Sequence, residues 1–150
     1  MRADNRLPRV LHALLHMAEM KGPATSSQLA KMLGTNPSVV RRTMSGLRDA
    51  GLLISVKGHG GGWSLKKPLE EISLIEVYEA LGQPQLFAIG LSQSGSGCLM
   101  EKAADQFTAN ALAKASSAFQ AELREVKVSE IAHQFKNQLE SGAGRKQHQI

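Results

Sequence analysis

The side chains best suited to chemistry in this 150-residue chain are donors for a polyanion. Arg41 and Arg42 lie beside Ser38, and Arg48 follows one to two turns later if the stretch is helical. Lys57, His59 and Lys66 bracket a run of glycines, Gly58, Gly60, Gly61 and Gly62. A guanidinium can grip a guanine edge through two parallel hydrogen bonds, and a hydroxyl reads a base less selectively. Backbone N–H groups freed by glycine can approach a phosphate closely. Charge placement agrees. Residues 1–67 hold eleven Lys or Arg against three acids, a surplus of eight, while residues 68–150 hold seven against ten, a deficit of three. One part of the molecule is built for a polyanion and the other for something else.

Other chemistry is thinly represented. The single cysteine, Cys98, precludes an intrachain disulfide framework, and no His-Glu-x-x-His run exists among the five histidines. His12 and His16 are spaced for one helix face, which by itself supports only weak metal binding; beside an apolar stripe such residues are ordinarily surface or interface histidines. The glycine run lacks the Gly-Lys-Ser/Thr ending and following helix of an enzyme phosphate loop. No catalytic residue, metal centre or cofactor is expected, and the chain reads as a binding protein rather than an enzyme. No apolar run of 18 residues occurs and no basic-then-apolar leader opens the sequence, so a cytoplasmic, non-membrane protein is the expectation.

The elements that must position these donors are legible from periodicity and caps. Leu7, Val10, Leu11, Leu14, Leu15 and Ala18 recur at three and four and predict a helix from Leu7 to Met20, ended by Gly22-Pro23. Thr25 with Gln28 forms a capping-box pattern ahead of a short helix that stops at Gly34. Asn36-Pro37 opens a third helix to about Ala50, with Val40, Met44 and Leu47 inward and Arg41, Arg42, Ser45 and Arg48 outward. Two short helices about a Gly34-Thr35 turn make a helix-turn-helix pattern. Strands around Leu52–Val56 and Trp63–Leu65 flank the glycines, the β-wing of a winged helix, with Trp63 and Leu65 assigned to the core. Pro68 ends the wing, and Ser73 with Glu76 caps a fourth helix over 74–81.

The expected fold class is mainly α with a small β-wing: a winged helix-turn-helix at 1–81, a linker at 82–98, a dimerisation helix with a short terminal helix at 99–139, and a disordered tail at 140–150. The long helix, from about Leu99 to Val126, carries Met100, Ala103, Phe107, Ala111, Ala115, Ala118 and Phe119 as one stripe, and Ser129 is expected to cap the last helix. A small N-terminal core explains so long a helix poorly. A second copy of the chain explains it well, and two-fold symmetry would then set two recognition helices one DNA turn apart, about 34–36 Å. Folding back onto its own domain is the alternative, and the two are compatible.

On this arrangement Ser38, Arg41 and Arg42 reach the major groove, and Thr35 and Asn36 touch phosphate. Arg48 is a backbone contact, and Lys57, His59 and Lys66 hold the wing against the minor groove or its phosphates. A winged helix that binds proteins, or packages DNA without a specific operator, is the competing reading.

The run Leu47-Arg48-Asp49-Ala50-Gly51-Leu52-Leu53, then Val56-Lys57-Gly58-His59-Gly60-Gly61-Gly62-Trp63-Ser64-Leu65, then Pro68 and Glu71-Ile72-Ser73-Leu74, resembles the Rrf2-type transcription regulators. Ser27-Gln28-Leu29-Ala30 also suits its place in that fold. The resemblance covers residues 3–139, strongly to residue 81 and loosely beyond. It implies a homodimer with a winged helix-turn-helix and a long crossed dimerisation helix, binding promoter double-stranded DNA, usually as a repressor. Several such regulators sense nitric oxide, iron–sulfur status or redox state through a cluster held by three cysteines between the fourth helix and the dimerisation helix. This chain departs there, with Cys98 alone. A cluster needs several soft ligands, so none is expected. Cys98 at a helix start is a candidate thiol sensor or else a small packed residue, and a small-molecule effector near Leu86 to Leu91 is the other candidate signal.

Overall fold

The computed structural model describes residues 3–93 and 95–142. Three helices open the chain: α1 (Arg6–Glu19), α2 (Ser26–Leu33) and α3 (Pro37–Asp49). Strands β1 (Leu53–Val56) and β2 (Gly62–Leu65) follow, then a single 3-10 turn at Leu69–Glu71 and α4 (Leu74–Ala80). After a segment without regular structure among its described residues come α5 (Leu99–Glu125) and α6 (Val128–Glu140). The fold is mainly helical with one small antiparallel sheet, as the sequence predicts. The expected tail lies, beyond residue 142, outside the described residues.

Caps set the boundaries. Thr25 Oγ1 accepts from the Gln28 N–H at 3.1 Å while Gln28 Oε1 accepts from the Thr25 N–H at 2.9 Å, so two otherwise orphaned donors are satisfied reciprocally. Gly34 takes the left-handed conformation that ends α2. Asn36 Oδ1 caps α3 at the Val39 N–H, with Pro37 in the first turn. Ser73 and Glu76 repeat the box at α4.

One aliphatic core joins these pieces. Val10, Ala13 and Leu14 of α1, Leu29 of α2, Val40, Met44 and Leu47 of α3, and Leu52 and Leu53 at the start of the wing are all closed to solvent. Each large side chain so buried contributes about 1.5–3 kcal/mol, so three short helices that would be marginal alone hold one another in place. The sheet pairs Leu53 with Leu65, Ile54 with Ser64, Ser55 with Trp63 and Val56 with Gly62.

Two local expectations, the cap of α6 and the place of Phe119, are corrected. Ser129 does not cap α6. It lies buried inside the first turn, and Lys127 occupies the cap, its N–H donating to Glu130 Oε2 at 2.6 Å. The chain enters α6 through a pairing invisible to helical periodicity: Leu74 N–H donates to Val126 O at 3.0 Å and Val128 N–H to Ile72 O at 2.9 Å. This bridge drives Val128 into the first core and moves the helix start forward.

Phe119 leaves the predicted stripe. It turns about a quarter of the helix circumference away from Met100 and Phe107 and packs edge-on against Tyr78, ring centres 5.5 Å apart. Finally, the end of α5 and the start of α6 pack on the N-terminal unit, Leu123 with Ile75 and Tyr78, Val128 with the main core. The long helix therefore partly folds back. Its first half does not: Met100 is 84% and Phe107 79% exposed, with Leu99, Ala103 and Ala111 also in solvent. No described helix is long and apolar enough to cross a membrane.

Candidate nucleic-acid interface

The inward stripe of α3 fixes what points outward. With Val40, Met44 and Leu47 buried, a 3.6-residue period forces Ser38, Arg41 and Arg42 into solvent, and all three are exposed. Arg41 Nη2 lies 3.4 Å from Ser38 Oγ, a long contact that leaves the guanidinium free to turn to a base. Val39, at the same end of α3, is 42% exposed and has no role assigned from the sequence. An exposed valine between a serine and two arginines offers a methyl surface suited to the thymine C5-methyl.

Thr35 is half-buried, with its N–H bonded to Ala30 O at 3.0 Å. The Asn36 side-chain carbonyl is committed to the cap, which leaves its amide N–H groups to donate. Arg48 is engaged within the chain. Its Nε and Nη2 each donate to Asp49 Oδ1 at 3.2 Å, and its guanidinium carbon stands 6.0 Å from the centre of the Trp63 ring. The structure thus brings Arg48 toward the base of the wing.

The wing carries Lys57, His59 and Lys66, all exposed. Its tip closes with Gly61 N–H donating to Gly58 O at 3.0 Å. At Gly61 any Cβ would press into the Val56 carbonyl, and at Gly62 into the carbonyl of Ala24, so these two positions exclude side chains on space alone. The reason at Gly62 is a pairing unseen in the sequence. Ala24 N–H donates to Trp63 O at 2.9 Å and Trp63 N–H to Ala24 O at 2.8 Å, which adds a one-residue third strand to the wing. Trp63 Nε1–H also donates to Ser26 Oγ at 3.1 Å. The wing is therefore fastened to the N-terminus of α2, and the wing and the α2–α3 pair share one frame. Beyond β2, Lys67 Nζ meets Glu76 Oε1 at 2.7 Å. Burial alone would raise the Glu76 carboxyl, but Lys67 and the N–H and hydroxyl of Ser73 outweigh it and hold the acid below its usual range.

The chain from residue 3 to residue 134 matches the family model Rrf2, described as iron-dependent transcriptional regulators. The chain belongs to the Rrf2 family. Among relatives, YwnA of Bacillus subtilis (strain 168) is 41% identical over 87 residues, 57% of this chain and 64% of its own length. YffB of Lactococcus lactis subsp. lactis (strain IL1403) is 32% identical over 126 residues, 81% of each chain. Their names assign both to the HTH-type transcriptional regulators and neither to an enzyme class. The chain spans under two thirds of the length of YwnA. A solved transcriptional regulator structure from Lactobacillus plantarum superposes with a TM-score of 0.73 over 87% of this chain and 89% of that one, at 19% identity, which shows a shared fold. IscR of T. potens does so at 0.63 over 89% and 88%, at 17% identity.

An iron-dependent Rrf2 protein needs a donor set for iron, and the residues here do not match one. The whole sequence holds one thiol, Cys98, and among the described residues no group of three or more His, Cys, Asp or Glu could hold a metal ion. Cys98 is fully exposed at the N-cap of α5. The backbone N–H groups of Glu101 and then Met100 favour its thiolate and draw the thiol below its ordinary value, without closing a capping hydrogen bond. Below the irregular segment, a cavity of about 560 Å³ opens between α1, α4 and α5, lined by Leu7, Pro8, Tyr78, Leu86, Phe87 and Phe119.

Proposed function

We propose that this Rrf2 protein is a homodimeric, sequence-specific DNA-binding regulator that represses transcription from the promoters it occupies, in the cytoplasm. The observation that carries the reading is the pairing of Ala24 with Trp63. It holds the wing, with Lys57, His59 and Lys66, in one frame with the exposed Ser38, Arg41 and Arg42 of α3. Base contacts from the helix specify, and phosphate contacts from Thr35, Asn36 and the wing position. Arg48 acts from behind, bracing the base of the wing through Trp63.

Residues 1–81 form the DNA-binding part and 82–98 the connection. Within 99–139, the exposed Met100, Ala103, Phe107 and Ala111, with the half-buried Ala115 at the stripe's edge, meet the same face of a second copy. The signal enters at the junction, either as oxidation of the Cys98 thiol or as a small apolar effector in the cavity under Leu86.

Selecting binding sequences from a random DNA pool tests the function. The expected outcome is two inverted half-sites spaced by about one helical turn. Retention of the pool without sequence enrichment would instead identify an architectural protein.

A further inference from the structure

Two histidines one turn apart on α1 take no part in DNA recognition or in the proposed dimer, yet the fold brings them together. His12 Nε2 and His16 Nε2 stand 2.8 Å apart on the solvent side of a helix whose other face, Val10, Ala13, Leu14 and Met17, is locked in the core. Nitrogens that close either share one proton or hold one ion. The ring planes cross at 66° and the ring centres are 4.6 Å apart, too close for two nitrogens meeting head-on at that separation. The ring axes are therefore bent off the line between the nitrogens, as chelation requires.

Imidazole nitrogens bound to zinc at about 2.0–2.1 Å stand about 2.9 Å apart at a right angle and about 3.3 Å apart at the tetrahedral angle. The gap present here needs to open by no more than about half an ångström to meet either geometry. Because the helix backbone fixes both Cβ atoms, the chelate is assembled before any ion arrives.

We propose that His12 and His16 form a surface chelate for a borderline divalent transition metal ion, with water completing the coordination sphere. Zn²⁺ fits it, and Cu²⁺ is expected to bind more tightly. Among the described residues no third His, Cys, Asp or Glu joins the pair, so the ion exchanges freely and occupancy follows its concentration. The site is distinct from the cysteine-rich centre that iron-dependent members of the family require, and it stands whether or not the chain binds an operator.

Calorimetric titration of the full chain with Zn²⁺ at pH 7.5, alongside thermal unfolding, tests the chelate. One site per chain is expected. At free Zn²⁺ of about 100 Kd the unfolding temperature should rise by several degrees, because the ion binds the folded helix only. His12→Ala and His16→Ala should each weaken binding at least tenfold and abolish that rise, while His133→Ala leaves both unchanged. Unfolding in chelator, the same for all three variants and the parent, establishes that each folds. Zinc affinity unchanged by His12→Ala, or no saturable binding to the parent, would overturn the chelate and leave the pair as an N–H···N hydrogen bond.

Discussion

Arg42 is exposed on the middle of the outward face of α3, one turn from Ser38, and the acid on that face, Asp49, lies two turns away and is engaged by Arg48. A guanidinium so placed is free to read a guanine through two hydrogen bonds, so Arg42→Ala should cost about 1–3 kcal/mol on the operator and little on random DNA. Competition binding on both kinds of duplex measures this, and an equal loss on each would reassign Arg42 to phosphate. Cys98 poses a different question at the same scale. It is exposed and drawn toward thiolate by the first turn of α5. If it carries the signal, oxidant releases the wild-type protein from DNA while Cys98→Ser stays bound; gel-shift titration in peroxide reads the difference. Identical release of both would move the signal to the cavity under Leu86. Both residues were legible in the sequence because residue type and helix position suffice to mark them. Val39 was not, since an apolar residue within a helix carries no local sign that it faces a base.

At the scale of elements, the wing is a two-stranded sheet that would be marginal alone and is held through Trp63, which pairs with Ser55 on one side and Ala24 on the other. Lys57 and Lys66 project from its two arms into solvent. Replacing both by Ala should weaken binding to every sequence alike. It should also lower the slope of log K against log salt by roughly 1 for each phosphate that the wing no longer neutralises. Fluorescence anisotropy at several salt concentrations gives the slope, and an unchanged value would remove the wing from the interface. The hairpin itself could be read from glycines between alternating apolar residues. Its attachment could not, because the Ala24–Trp63 pairing joins residues 39 positions apart and leaves no periodic trace. The same holds for α6, whose start is set by a backbone bridge between residues 72–74 and 126–128 rather than by its nearest capping residue.

At the scale of the molecule, α5 is about 40 Å long at 1.5 Å per residue. Its second half is anchored through Phe119 and Leu123, while its first half presents Met100 and Phe107 to solvent. Exposed apolar side chains of that size on a helix rich in alanine are stable when a second helix covers them. Ala111→Glu would place like charges against each other across a two-fold axis and should shift the protein to monomer, with operator affinity falling as the two half-sites uncouple. Sedimentation at tens of micromolar distinguishes the states. A wild-type protein that is monomeric alone and on DNA would remove the dimer from the proposal.

The helices, the turn between α2 and α3, the wing and the outward arginines follow from local rules. Caps act over three or four residues and periodicity over one or two turns, so the chain states them directly. Which half of α5 returns to its own core, where α6 begins and what fastens the wing were decided by tertiary structure. Those outcomes depend on contacts between segments distant in sequence, such as Val128 with the α1–α3 core and Phe119 with Tyr78, and on side-chain directions that only a packed core imposes.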